Sequence, residues 1–226
     1  MPSFLRLITA VFAVWACVLV AHADDGEFPI MADDGTVIAN HSVSADLVAR
    51  IEQLKNIVVA ANPNGKVTLH EFYDLNCPYC RKASADIDEL VRANRNLRLV
   101  LVPFPVLGIP SILAARVEYG VNKIASPENA YKFHRTIYAG RGTIEDSRAF
   151  AAAQAIGLDV VEVRAKASDE ACAKIMTEHV RLGDALGIQA TPGLVIGGVV
   201  IVGYPGKIAL TKVIASVERC GKVVCP

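Results

Sequence analysis

Two cysteines stand two residues apart in Asp74-Leu75-Asn76-Cys77-Pro78-Tyr79-Cys80-Arg81-Lys82. Such a pair supports three chemistries: it ligates a metal, staples a fold or exchanges electrons with another thiol pair. A closed structural zinc site takes four Cys or His ligands, usually as two paired clusters. Here the second close pair, Cys220 and Cys225, lies far downstream, and the 5 histidines offer no pair at ligand spacing. No metal and no cofactor are therefore expected. As a staple, a Cys77–Cys80 bridge closes a tiny loop and stabilises less than a bridge across a long one.

The exchange reading follows from where the pair sits. KVTLHEFYD, residues 66–74, is rich in β-branched and aromatic residues and reads as a strand. A helix should begin at the motif, with Pro78 at its first position, where a missing N–H costs nothing. Ile87, Leu90 and Val91 give that helix an apolar face. At a helix start, unpaired N–H groups and the positive end of the macrodipole favour thiolate over thiol at Cys77. Thiols so placed have pKa values of about 3.5–7.5. Cys77 is expected to be the exposed attacking sulfur. Cys80, one turn further in, is expected to resolve the mixed disulfide. A low-pKa thiol is a good leaving group, so the bridge should pass on readily. Arg81 and Lys82 add positive charge nearby.

The elements that must position this pair follow from periodicity. Residues 24–43 look irregular, with a turn at Asp33-Asp34-Gly35. Residues 44–60 read as an amphipathic helix through Leu47, Val48, Ile51 and Leu54, closed by Asn62-Pro63-Asn64-Gly65. LRLVLVPF, residues 97–104, is a nearly continuous apolar run, as for a strand covered on both faces. Residues 66–104 thus make a β-α-β unit with a parallel pair. Residues 110–187 carry helical periods: one helix opening at Pro110, another at Ser126-Pro127-Glu128, then 145–156 and 159–186. After Thr191-Pro192, GLVIGGVVIVGY reads as a hairpin turning at Gly197-Gly198, and residues 206–219 as a last amphipathic helix.

The chain has 226 residues, with 23 Lys and Arg against 23 Asp and Glu. That balance argues against nucleic acid or an anionic membrane as partner. Arg6, the apolar run Leu7 to Ala21 and Ala21-His22-Ala23 describe a signal peptide over residues 1–23, with Cys17 discarded and the protein exported to the periplasm. Cys77, Cys80, Cys172, Cys220 and Cys225 then remain in a compartment where disulfides persist. Their odd number leaves at least one thiol free or paired with another molecule.

The strand HEFYD leading into CPYC, the apolar strand ending at PFPVLG (103–108), the helical block and ATPGLVIGG (190–198) resemble the DsbA-like thiol oxidoreductases of bacterial envelopes. The likeness runs from about residue 60 to 217. It implies an α/β thioredoxin fold with a mixed sheet, residues 66–109 and 188–219, interrupted by an inserted helical domain, 110–187. An N-terminal segment, 24–65, and a tail, 220–226, flank it. The resemblance further implies that Pro192 is cis and packs beside the cysteines. Thr191 then presents its backbone to a client strand. Glu71 matches the family's buried carboxylate beneath the active site, a proton acceptor or donor during exchange. Tyr79 departs from the His that the strongest oxidants carry between the cysteines, which points to a weaker oxidant. Thr191 before the proline is similar to envelope isomerases.

Cys172 falls on an apolar helical stripe with Ile175, Met176 and His179, as an inert core thiol would. Cys220 and Cys225 follow the last helix, and a bridge between them would pin the C-terminus, worth on the order of 2 kcal/mol. His70, His134 and His179 read as packed side chains. The expected function is an exported thiol:disulfide oxidoreductase, monomeric, that donates its bridge to reduced client proteins and is reset by a membrane redox partner. An oligomeric isomerase or reductase is the alternative, with residues 24–61 as the oligomerisation arm. A metal-binding or chaperone protein is the other alternative, and the scarcity of clustered His and Met disfavours it.

Overall fold

The computed structural model describes residues 26–226. The signal-peptide assignment to residues 1–23, Cys17 included, lies outside the described residues. A six-stranded mixed sheet organises the rest, in the order β1-β6-β5-β3-β4-β2. Its centre is β3 (Val67–Tyr73), which runs parallel to β4 (Leu97–Pro103) and antiparallel to β5 (Gly193–Ile196). β5 turns at Gly197 and Gly198, with φ of 58° and 77°, into β6 (Val199–Val202). Left-handed glycines at both central positions are what a two-residue hairpin requires.

The N-terminal segment differs from the sequence reading. Residues 24–43 are not wholly irregular: β1 (Asn40–Ser42) pairs antiparallel with β6. The single helix expected over 44–60 is divided. Only Ala45–Ile51 is helical, as α1, and Val58–Ala61 forms β2, antiparallel to β4 at the sheet edge. The chain reverses at Asn56, whose φ is 63°. The β-branched pair Val58-Val59 then covers an edge that would otherwise offer unpaired backbone groups. Residues 40–42 and 58–61 are thus built into the sheet, and Ile51 is wholly buried against it, so this segment is no free oligomerisation arm.

Side-chain alternation on β3 divides the core. Leu69 and Tyr73 face α2 (Pro78–Ala93) and the last helix, Lys207–Cys220. Phe72 faces the opposite side, with Val100, Val102, Val195 and Val200, against α1 and the helix Ala171–Ala185. Between β4 and β5 lie five helices: α3 (Ile109–Ile124), α4 (Pro127–Ala139), α5 (Asp146–Ala155), α6 (Val160–Ala167) and α7 (Ala171–Ala185). The helical period read over 159–186 therefore splits. The break falls at Ser168–Glu170, where the Asp169 carboxylate accepts from the Ala171 N–H at 2.9 Å. α3 approaches α6 so closely that a Cβ on Gly120 would stand 2.4 Å from the Val163 carbonyl oxygen.

α8 (Lys207–Cys220) is held at both ends. The carboxylate of Asp33 accepts from the N–H groups of Ile208 at 3.1 Å and Ala209 at 2.7 Å, capping the helix from the far end of the chain. Gly221, with φ of 74°, ends it, and Cys220 is disulfide-bonded to Cys225. Val223 inside that loop is buried in the main core. Among the described residues no helix is long and apolar enough to cross a membrane.

Candidate active site at the start of helix α2

Cys77 is the N-cap of α2, in extended backbone conformation, and Pro78 is the first helical residue. Its sulfur accepts from the Cys80 N–H at 3.3 Å, satisfying one of the amides a helix start leaves open. The turn before it is fixed by Asp74. That buried carboxylate accepts from the Asn76 N–H (2.8 Å), the Ser111 hydroxyl (2.7 Å) and the N–H groups of Val106 (2.8 Å) and Leu107 (2.9 Å). The Asn76 amide pairs both ways with the Ile144 backbone, at 2.9 and 2.7 Å. Asp74 and Asn76 thus lock the motif to the loop after β4 and to the helical insertion. Sequence reading passed over both, although Asp and Asn are the residues that fix turns by bonding nearby amides.

The opposite wall is the loop before β5. The Thr191–Pro192 peptide is cis, and the Cys77 thiol donates to the Thr191 carbonyl at 3.1 Å. This contact corrects one expectation. Cys77 is not exposed: it retains 4% of its accessible surface, with the Thr191 carbonyl of the loop before β5 against its sulfur. Tyr79, by contrast, is 66% exposed. Cys80 is fully buried, and both thiols are free.

The electrostatics separate the two sulfurs. The hydrogen bond from Cys80 does most to lower the Cys77 pKa from 9.0 to about 6. The Thr191 side chain and the N–H groups of Cys80 and Tyr79 add to it, against the opposing effect of burial. Burial pushes the Cys80 thiol far above the ordinary range, and its bond to Cys77 and the charges of Glu71 and Cys77 push it further. The anion therefore belongs on residue 77 and the proton on residue 80. Arg81 does not supply the stabilising charge: its guanidinium donates to the carbonyls of Gly140 and Gly142, tying the α4–α5 loop to α2.

Glu71 stands between Leu101 on β4 and Leu194 on β5, wholly buried, on the β3 face that carries Tyr73. Neither carboxyl oxygen has a hydrogen-bond partner. Burial, and secondarily the Cys77 charge, raise its pKa to about 8. His70 points to the other face and bonds Glu52 at 2.7 Å. Arg98 first, then His70, hold Glu52 well below the usual carboxylate range. His179 lies between the carbonyls of Pro103 and Lys55, at 2.8 Å each. Cys172 packs with Tyr119 and Ile175 in a small separate cluster, its thiol raised to about 11 by burial. Among the described residues, no three His, Cys, Asp or Glu gather where a metal could bind.

A family model described as thioredoxin matches residues 54–215. A thioredoxin-like oxidoreductase from Silicibacter pomeroyi DSS-3 is 29% identical, with a TM-score of 0.67 over 78% of this chain and 97% of that one. The thiol-disulfide exchange protein alpha-DsbA2 from Wolbachia pipientis is 23% identical, with a TM-score of 0.65 over 76% and 96%. Oxidised BdbD from Bacillus subtilis is 18% identical, with a TM-score of 0.63 over 79% and 97%. At the identity of these last two, the likeness is one of fold. A curated relative, the Na(+)/H(+) antiporter NhaA 1 of Salinispora arenicola, is 26% identical over 133 residues, 58% of this chain, and the match spans 20% of that protein's length. The cysteine pair at the start of α2, the cis proline facing it and the matching model over residues 54–215 place the chain in the thioredoxin family.

Proposed function

We propose that the protein is an exported thiol:disulfide oxidoreductase that introduces disulfides into client proteins through Cys77 and Cys80. The observation that carries this reading is the opposed setting of the two sulfurs. Cys77 is held as an anion by donors at the helix start, and Cys80 is buried and kept protonated. In the oxidised enzyme a client thiolate attacks the Cys77 sulfur. The bond between the two enzyme sulfurs breaks with its electron pair on Cys80, which takes a proton from buried Glu71. A second client thiolate then attacks the client sulfur of the mixed disulfide, and Cys77 leaves as a thiolate. Two electrons have passed from client to enzyme. A stabilised leaving thiolate favours that direction.

The surface beside the sulfur suits an unfolded client. Tyr79, Val106, Leu107, Ile109 and Ile112 are all exposed around the motif and the loop bonded to Asp74. Exposed apolar side chains gathered in one place mark interaction surfaces. The backbone of Thr191 beside Cys77 suits an extended peptide added as a strand. Reoxidation by a membrane redox partner, and export through residues 1–23, complete the reading. Tyr79 and Thr191 favour the second reading, an isomerase or reductase, while the folded-in N-terminal segment speaks against an oligomerisation arm.

Equilibration with glutathione, alongside oxidation of a reduced unfolded client, tests the proposal. A potential of about −120 to −180 mV with client oxidation supports the oxidase; a value near −270 mV makes the protein a reductant and overturns it. Repair of a scrambled client at the same potential would favour the isomerase.

A further inference from the structure

A groove of about 510 Å³ runs along α8, between residues 29–31 and the loop closed by the Cys220–Cys225 bridge. Both of these walls lie outside residues 54–215, where the thioredoxin model matches. Val213 and Val223 are buried beneath the groove, while Met31 and Val224 are 49% and 39% exposed at its lips. Apolar side chains gathered on a surface mark a place where something docks. Lys212 and Arg219 stand at the rim, both exposed, and no carboxylate of the described residues lines the groove. Among the described residues neither cation forms an ion pair. The neighbouring acids are engaged elsewhere: Asp33 caps α8, and Glu218 accepts from the Asn94 and Asn96 side chains.

The backbone of the first wall adds an independent signal. Met31 and Val37 form an isolated antiparallel bridge. Its bonds run from the Ile38 N–H to the Ile30 carbonyl at 3.1 Å and from the Ala32 N–H to the Thr36 carbonyl at 2.8 Å. Met31 is therefore a non-hydrogen-bonded position of the pair, and its own N–H and C=O point away from Val37. Among the described residues neither group has a hydrogen-bond partner. Such an open edge accepts a further strand.

We propose that this groove docks an extended peptide segment of a partner protein in which acidic and apolar residues alternate. Successive side chains of a strand point to opposite faces. One face then lays apolar side chains over Val213 and Val223, and the other turns carboxylates to Lys212 and Arg219. The two cations are about 10 Å apart along the helix axis. Acids on one strand face recur about every 7 Å, within reach of both flexible side chains. The peptide backbone pairs with Met31. The groove stands apart from the thiols. α8 begins beside the cis-proline loop, where the Gly203 N–H donates to the Pro192 carbonyl at 2.9 Å, and Arg219 lies about 18 Å further along the helix than Lys207. A partner held there meets Cys77 at a raised local concentration. The proposal goes beyond the oxidoreductase reading and holds whichever way the electrons flow.

The test is fluorescence anisotropy of the dye-labelled peptide Asp-Leu-Asp-Val-Asp-Leu titrated with the full chain. Binding should saturate and weaken as salt rises. Lys212→Glu combined with Arg219→Glu, both at exposed positions, should weaken it roughly tenfold or more. The same double variant should bind a peptide with Lys in place of each Asp better than the wild type does. Val224→Asp, which sets an acid on the lip, should weaken the acidic peptide as well. Glutathione exchange should keep its wild-type rate in every variant, so a failure of the thiol chemistry is read separately. Absence of saturable binding to the wild type overturns the proposal, as does unchanged affinity in the double variant. Equal affinity for a peptide of the same composition with its three Asp in one block refutes the added strand.

Discussion

Removing the sulfhydryl of Cys80 should raise the pKa of Cys77, because that group heads the interactions that lower it. The drop from 9.0 to about 6 corresponds to about 4 kcal/mol in favour of the thiolate, at 1.36 kcal/mol per pKa unit. A hydrogen bond to a charged group is worth about 1.5–3 kcal/mol. Cys80→Ala should therefore move the inflection upward by about 1–2 pH units, leaving the N–H groups of the helix start to hold the rest. Cys80→Ser keeps an O–H donor in the same place and should stay near the wild-type value. The assay is the rate of alkylation of the protein against pH; the Cys80 variants keep Cys77 and the buried Cys172 as free thiols, and because burial raises Cys172 to about 11 the lower inflection reports Cys77. At pH 7 the wild type should be about 90% thiolate, against roughly 1% for a thiol left at 9.0. A wild-type inflection near 8.5 would refute the helix-start argument. An equal shift in the Ser and Ala variants would refute the assignment of the effect to the donor.

Two further outcomes follow from burial and close packing. Glu71 and Glu118 have folded pKa values of about 8, raised from 4.5 by burial first in each case, so the folded state holds protons that the unfolded chain releases. Their contribution is intact below pH 4.5 and is lost as pH rises through 8; Glu71→Gln should flatten the decline in urea midpoints between those two pH values, and an unchanged slope would count against it. Gly120→Ala should lower stability by about 1–3 kcal/mol, because its Cβ meets the Val163 backbone between α3 and α6; an unchanged melting temperature would show that the helices can part without cost.

Local chemistry made much of this molecule legible in the sequence. Pro78 after Cys77 marks a helix start. The paired glycines Gly197-Gly198 mark the hairpin, and the apolar run at 97–104 marks a strand covered on both faces, found as β4. Each of these signals depends on neighbours a few residues away, so a single chain is enough to read them. The split of residues 44–61 was harder to read, because Val58 and Val59 become a strand only when the edge of β4 is there to receive them.

The tertiary structure alone decided what lies across from what. The sequence places Asp33 in a turn, and folding makes it the cap of a helix 175 residues away. Glu118 stood in plain view as a charge on the apolar face of α3, and His134 as a histidine on the apolar face of α4. Periodicity says that such faces are covered but not by whom. Only packing brings both residues to the tyrosines beside Glu71. The same limit explains Cys77. The helix start made its anion foreseeable, since those amides belong to adjacent residues, whereas its cover by Thr191 comes from a loop 114 residues on. Propensity and spacing act along the chain, while burial, and the pKa values it sets, is a property of faces that meet only in the folded state.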